Sequence, residues 1–263
     1  MNTRKNLLLW VLYDFANSIV SIVFFLYFSQ WIVIDRGVAD IWFNLTFTVS
    51  ATLLLLTVPT TGVLLDRYWR RISGLRYTTL GTVMFYGLCG VFAIGNHDIL
   101  ALVTFTLGLY SYLLSFTFYT PLINDIGLPS ERGRISGYGI AANYLGQIAG
   151  LVLALPFATG ELNLFGGSSR VETLLPAVTV FFLLSLPTLL LFKEPRKEQR
   201  VSSYAKEVRE SLLETKMLIT IPGVLAFFIA YFFFNDAILT AAKTPGIVIN
   251  ILVSTRDSFA SLA

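Results

Sequence analysis

Cysteine, histidine and charged residues are the scarce components of this sequence of 263 residues. Cys89 is the single cysteine, which excludes an internal disulfide, and His97 is the single histidine, which excludes a metal site built from several histidines. Asp, Glu, Lys and Arg together make up 13% of the chain, whereas a soluble domain carries about 25%. So few charges cannot cover a soluble protein of this apolar content.

Motifs of common enzyme chemistry are missing as well. The chain contains no HExxH zinc motif, no GxSxG nucleophile motif and no phosphate-binding Walker loop. It also lacks the Gly-x-Gly-Asp of intramembrane aspartyl proteases. We therefore predict that the protein is not an enzyme and binds no cofactor or metal.

What the chain has in excess is long apolar runs. Hydrophobic residues account for 55% of it, and its mean hydropathy is +0.71. A membrane-spanning helix needs about 20 apolar residues, and seven segments meet this need: 7–33, 41–65, 77–95, 99–122, 137–158, 172–192 and 218–241. None alternates as the strands of a membrane barrel would. The sequence predicts an all-α membrane protein, a polytopic helical bundle whose main partner is the lipid bilayer.

The basic residues predict the orientation of these spans. All but four of the 19 Lys and Arg residues lie at the N-terminus or in the loops after spans 2, 4 and 6. Because cytoplasmic loops are enriched in Lys and Arg, the N-terminus is expected on the cytoplasmic side. The positive net charge then reflects the topology of the spans, and we expect no nucleic-acid partner.

The charge pattern also divides the chain. We predict a six-span unit at 1–192, a cytoplasmic linker at 193–217, a seventh span at 218–242 and a polar tail at 243–263. The linker reads equally well as a short helix on the membrane surface, capped by Ser203, or as a solvated connection.

Span 1 contains polar residues where lipid would favour apolar ones. Asp14, Asn17, Ser18 and Ser21 follow i, i+3, i+4, i+7 spacing and so share one helix face. A carboxylate at the centre of a membrane helix costs about 2.5–3.5 kcal/mol, and such residues face a cavity or a partner helix. We expect Asp14 to bind a proton or a cationic group of a substrate; the alternative is a structural bond to a neighbouring helix.

Span 5 carries two further patterns. Asn143 and Gln147 form an i, i+4 pair that either lines the same pathway or joins helices. Gly146 and Gly150 form a GxxxG motif, and Gly137 and Gly139 precede it. Small residues let helix backbones approach closely, so we expect tight packing at all four glycines.

The loop after span 2 reads GVLLDRYWRRISGLR, residues 62–76. It resembles the signature loop of the major facilitator superfamily, although Trp69 stands where that signature has glycine. The resemblance implies a conformational clasp on the cytoplasmic side, formed by Gly62, Asp66, Arg67, Arg70, Arg71, Glu131, Arg132 and Arg134. The alternative is that any loop between cytoplasmic helix ends is rich in arginine. We also expect Asp125 to pair with Arg132 or Arg134 across the turn before span 5.

Three further segments are similar to the vacuole-effluxer branch of that superfamily, which comprises fungal vacuolar amino-acid exporters and their bacterial relatives. They are LYDFANSI at 12–19, ERGRISGYGIAANYLG at 131–146 and YFFFNDAI at 231–238. The resemblance implies a secondary transporter in a bacterial inner membrane, with amino acids as the substrate class. It adds Asn235 and Asp236, in span 7, to the pathway of Asp14, Asn17, Asn143 and Gln147.

The chain departs from this family after Ala242. The superfamily has twelve spans in two six-helix halves, and the tail at 243–263 does not resemble it. We expect a truncated chain, so the alternative function is a non-transporting membrane fragment or a half-transporter that needs a second copy. As partners we expect a small-molecule substrate and, as one option for a coupling ion, protons. We expect no obligate protein partner.

Overall fold

The computed structural model describes residues 3–67 and 70–195, together with Leu213, Thr220, Ile221, residues 223–227 and Ala230. Side chains are described throughout these ranges except at positions 3, 59, 60 and 62–67. The chain divides into two compact units, Met1–Ser202 and Ser203–Ala263. The helices that follow belong to the first unit.

The described part of this unit is helical and contains no strand. Its α-helices are α1 (Thr3–Val23), α2 (Asp40–Arg67), α3 (Arg71–Ile94), α4 (Asp98–Tyr119), α5 (Arg132–Ala158), α6 (Ser169–Glu172) and α7 (Leu174–Leu191). Two π-helical stretches, Phe24–Phe28 and Trp31–Asp35, extend α1. Two 3₁₀ turns, Thr120–Asp125 and Pro129–Glu131, connect α4 to α5.

Six of the helical stretches in the described residues are long and apolar enough to cross a membrane: Arg4–Asp35, Asp40–Val58, Arg71–Ile94, Asp98–Asp125, Pro129–Ala158 and Ser169–Leu191. This confirms the all-α fold and a helix of membrane-spanning length at each of the first six predicted spans. In the seventh, residues 224–227 are helical. The rest of that span lies largely outside the described residues, as does the linker beyond Pro195, apart from Leu213, and all of the tail.

Side chains of helix α1 contact several neighbouring helices, which indicates a central position for α1 in the first unit. The hydroxyl groups of Tyr13 and of Thr79 on α3 are 2.8 Å apart and share a hydrogen bond. The ring of Trp10 stacks on Tyr119 of α4, with centroids 4.9 Å apart. The Tyr119 hydroxyl donates to the Trp10 carbonyl at 3.0 Å. These bonds satisfy polar groups that lipid could not.

Glycines on α5 bring this helix against α1. Three of the four glycines predicted to pack tightly do so: Gly139, Gly146 and Gly150. A Cβ atom at Gly146 would lie 2.3 Å from the carbonyl oxygen of Phe15, and one at Gly150 would lie 3.0 Å from that of Ile19. The prediction is wrong for Gly137, which is exposed and has no atom within 4 Å of its Cβ position, because it lies near the start of α5 on the side away from α1.

The end of the bundle at which α1 finishes is held by ion pairs. Arg36 donates to Asp98, at the start of α4, with 2.7 Å between Nε and Oδ1. The preceding residue, Asp35, pairs with Arg170 of α6. Two adjacent residues of opposite charge therefore attach the end of α1 to two different helices.

Glu172, the last residue of α6, closes the loop between α5 and α6. Its side chain is fully buried, and its carboxylate accepts the backbone N–H groups of Leu164, Phe165 and Gly167 at 2.7–3.1 Å. A buried carboxylate is tolerated when it is well hydrogen-bonded. Here the donors come from the loop itself, so the loop folds around the acid.

The contact of Gly146 with Phe15 can be tested by substitutions within α5. Gly146→Ala should destabilise the protein by about 1–3 kcal/mol, because the new methyl group overpacks the contact with Phe15. Thermal unfolding of the purified protein in detergent would measure the change.

Gly137→Ala is the matched control. It places the same methyl group in open space and should be neutral or slightly stabilising, since Ala has the higher helix propensity. Equal melting temperatures for the two variants would contradict the close approach of α1 and α5.

Candidate functional site

The polar face predicted on α1 is buried: the exposed fractions of Asp14, Asn17, Ser18 and Ser21 are 9% or less. The Ser18 hydroxyl donates to the carbonyl of Asp14 at 2.8 Å, and the Ser21 hydroxyl donates to the carbonyl of Ser18 at 3.1 Å. Both hydroxyls are therefore used within the helix. The carboxylate of Asp14 and the amide of Asn17 are left for contacts outside it.

The Asp14 carboxylate faces α5. The side chain of Asn143 lies beside it, and a Cβ atom at Gly139 would lie 3.2 Å from Asp14 Oδ2. Among the described side chains, no Lys or Arg forms an ion pair with Asp14. A buried carboxylate without a cation attracts a proton or a positively charged group.

Asn143 and Gln147 form the pair that their spacing predicts. Gln147 Nε2 donates to Asn143 Oδ1 at 2.7 Å, and both side chains are half-buried. Since the Asn143 oxygen accepts this bond, its amide nitrogen is the atom that can donate to Asp14. The bond between Gln147 and Asn143 lies within α5, and Asn143 also lies beside Asp14 of α1, so the pair suits a lining role and a packing role alike.

Asn17 contributes a second acceptor. Its side chain is 1% exposed, and among the described residues its Oδ1 atom has no hydrogen-bond partner. Tyr112 of α4 lies beside both Asn17 and Ser21. An unpartnered buried oxygen costs about 1–3 kcal/mol, and a donor brought by a ligand would recover that energy. The sequence does not single out Tyr112, because tyrosine is common in apolar spans.

Arg70 and Arg71, at the start of α3, donate hydrogen bonds to residues that follow α4 and α7. Arg71 donates to Asp125 at 3.1 Å, and Arg70 donates to the carbonyl oxygen of Glu194 at 3.1 Å. Asp125 thus pairs with a residue of α3 and not, as predicted, with Arg132 or Arg134. The turn at Pro129–Glu131 instead pairs Glu131 with Arg134, at 3.2 Å.

The remaining predicted site residues have less structural context. Arg132 is half-buried, and its Nε atom has no hydrogen-bond partner among the described residues. The side chains of Gly62, Asp66 and Arg67, as well as Asn235 and Asp236, lie outside the described residues. Their roles stay predictions.

Glu194 is a neighbour of Arg71 that sequence reasoning missed. Its two carboxylate oxygens accept the backbone N–H groups of Arg71 and Ile72, each at 3.1 Å. These are unpaired donors of the first turn of α3, where a negative charge is also favoured by the helix dipole. The only indication of this role in the sequence is the position of Glu194, an acid that follows span 6 and precedes Pro195.

These features together define a polytopic helical membrane protein with a polar, acidic site between α1 and α5. Comparison with protein-family models, with curated proteins and with solved structures found no match to this chain.

The cap on α3 yields a prediction. Glu194→Ala should lower the free energy of unfolding by about 1–2 kcal/mol, because two helix N–H groups lose their acceptor. Chemical or thermal unfolding in detergent would measure it.

Glu131→Ala is the control, since it removes a half-buried acid that accepts a single backbone N–H, that of Leu128 at 3.3 Å, and whose ion pair with Arg134 is worth about 0–1 kcal/mol. A loss at Glu194 no larger than the loss at Glu131 would contradict the capping role.

Proposed function

We propose that this chain is a secondary transporter of the major facilitator superfamily, of the vacuole-effluxer type, that moves small solutes by alternating access. Two kinds of observation support the proposal. One is the resemblance at 12–19, 62–76, 131–146 and 231–238. The other is a set of six helices long and apolar enough to cross a membrane.

The observation that carries the proposal is the buried carboxylate of Asp14. It lies inside a membrane-length helix beside Asn143 and has no cation from the described residues beside it. Acids inside membrane helices are expensive and mark the pathways of ions and substrates. A chain gains nothing from such an acid in lipid, but a transporter uses it to bind a proton or a substrate cation.

The roles follow from the chemistry of each group. Asp14 binds the proton or cation, Asn17 offers its free oxygen, and Asn143 and Gln147 line the other wall. The resemblance adds Asn235 and Asp236 of span 7 to the same pathway. The accepting oxygens of Asp14 and Asn17 suit a protonated amine, which agrees with amino acids as the substrate class.

Alternating access in this family is a rocking motion of one half against the other. Asp66, Arg67, Arg70 and Arg71 form the clasp that holds one of the two states. The distribution of Lys and Arg puts the N-terminus and this clasp on the cytoplasmic side. The membrane is the inner membrane of a bacterium.

The test is uptake of labelled amino acids into liposomes that contain the purified chain, with and without a pH gradient. Asp14→Asn should lower the initial rate by roughly tenfold to a hundredfold, since contacts to a charged group are worth about 1.5–3 kcal/mol. The response to the pH gradient should disappear, because the amide does not titrate.

Glu161→Gln is the control, since it neutralises an exposed acid in the loop after α5 and should transport like the unmodified chain. Equal uptake and equal pH response in Asp14→Asn would refute the role of Asp14. An unmodified chain that inserts into liposomes but moves no solute would refute the proposed function in favour of a non-transporting fragment.

A further inference from the structure

The loop between α5 and α6, residues 159–168, exposes a group of large apolar side chains. The exposed fractions of Leu162, Leu164 and Phe165 are 43%, 63% and 46%. Exposed apolar groups of this kind mark surfaces that contact a membrane or a partner protein. The loop joins α5 to the stretch Ser169–Leu191, and both are long and apolar enough to cross a membrane. A loop that joins the ends of two spans lies at a surface of the bilayer.

The loop folds back onto the helix ends and does not project from them. Gly160 turns the chain after α5 with a φ of +80°, a conformation that favours glycine. The N–H group of Leu162 then donates to the carbonyl of Pro156, inside α5, at 2.9 Å. Further along, a Cβ atom at Gly167 would lie 3.4 Å from Cγ1 of Ile94, the last residue of α3. The loop is therefore held at the level where these helices end.

Most of the backbone N–H groups of the loop donate within the protein. The buried carboxylate of Glu172 accepts several of them, and Asn163 Oδ1 accepts the N–H group of Gly166 at 2.8 Å. Asn163 Nδ2 in turn donates to the carbonyl of Gly167 at 3.2 Å. The bonded N–H groups are those of Thr159, Gly160, Leu162, Leu164, Phe165, Gly166 and Gly167.

This bonding determines which surroundings suit the loop. Irregular backbone is excluded from lipid when its polar groups have no partner, because hydrocarbon supplies none. In this loop the side chains of Glu172 and Asn163 take the place of water as acceptors. The loop also contains one exposed acid, Glu161, whose N–H group is not among the bonded ones. Segments that lie at a membrane surface place their apolar side chains in the lipid and their charged groups in water.

We propose that Leu162, Leu164 and Phe165 insert into the interfacial region of the lipid bilayer and anchor the end of α5 there. The contacted leaflet is the one opposite the arginine-rich loops, since α5 begins near those loops and crosses to the other side. Glu172 is a positioning residue, because its carboxylate shapes the backbone that carries two of the anchors. The anchor is independent of the proposed function, since a chain that moves no solute would insert the loop in the same way.

Spin labelling of the full chain in lipid nanodiscs tests the proposal. Cys89 is fully buried, so the unmodified protein gives the background of labelling. Leu164→Cys and Phe165→Cys carry the nitroxide, whose relaxation is measured with oxygen, which concentrates in lipid, and with a water-soluble nickel chelate. The ratio of the oxygen effect to the nickel effect should be at least about threefold higher than at a water-facing position, because an interfacial segment buries its apolar side roughly 5–10 Å deep.

Two reference positions set the scale. Glu161→Cys, in the same loop, gives the value for a side chain in water. Val91→Cys gives the value for lipid, since Val91 is 53% exposed on α3 and lies about one helical turn before Ile94. Melting temperatures near that of the unmodified protein establish that each labelled variant is folded.

Each outcome decides the proposal. Ratios at positions 164 and 165 that exceed the Glu161→Cys value by threefold or more and approach the Val91→Cys value support the anchor. Ratios near the Glu161→Cys value overturn it and assign these side chains to water. Labels that neither reagent reaches also overturn it, because they assign the group to a contact with a second copy or another protein. The uptake assay has no bearing on any of these results.

Discussion

The direct contact of the α1 and α5 backbones sets the geometry of the whole polar site. Gly146 lies against the carbonyl of Phe15 because it has no side chain, and Asn143 precedes that contact by about one helical turn. Helices in lipid associate through such packing, since the hydrophobic effect does not drive them together. A larger residue at Gly146 would separate the helices and withdraw Asn143 from Asp14. The position of Asn143 beside Asp14 therefore depends on the absence of a side chain at Gly146 on the opposite helix.

Polar groups in this unit fall into two sets according to whether the chain satisfies them. The hydroxyls of Ser18 and Ser21 bond within α1, and Glu172 is enclosed by backbone donors. Asp14 and the Asn17 oxygen lack an equivalent set of partners among the described residues. Because a membrane offers no water to complete them, the second set is where a proton or a solute would gain the most by binding.

The sequence predicts the spans and the buried face of α1 because both depend on local periodicity. Runs of about 20 apolar residues fix a spanning helix, and i, i+3, i+4 spacing places Asp14 and Asn17 on one side. It does not predict Glu194, whose partners are backbone N–H groups of Arg71 and Ile72 more than 120 positions earlier. The prediction of the wrong partner for Asp125 has the same cause, a contact between distant positions in the chain. Local reasoning favoured arginines across the turn, while the folded chain brings Arg71 from a distance of 54 residues.

The attachments of α1 bear on how such a unit can move. At its first turn, Asn6 exchanges hydrogen bonds with the backbone of Lys193, at 2.9 and 3.3 Å. At its far end, Asp35 and Arg36 pair with α6 and α4, and in between its backbone touches α5. A helix fixed at both ends and along its length cannot slide or rotate without breaking several contacts at once. Under the proposed function, the motion that exposes Asp14 to alternate sides of a membrane would occur between this unit and another body, as in the rigid-body rocking of alternating access.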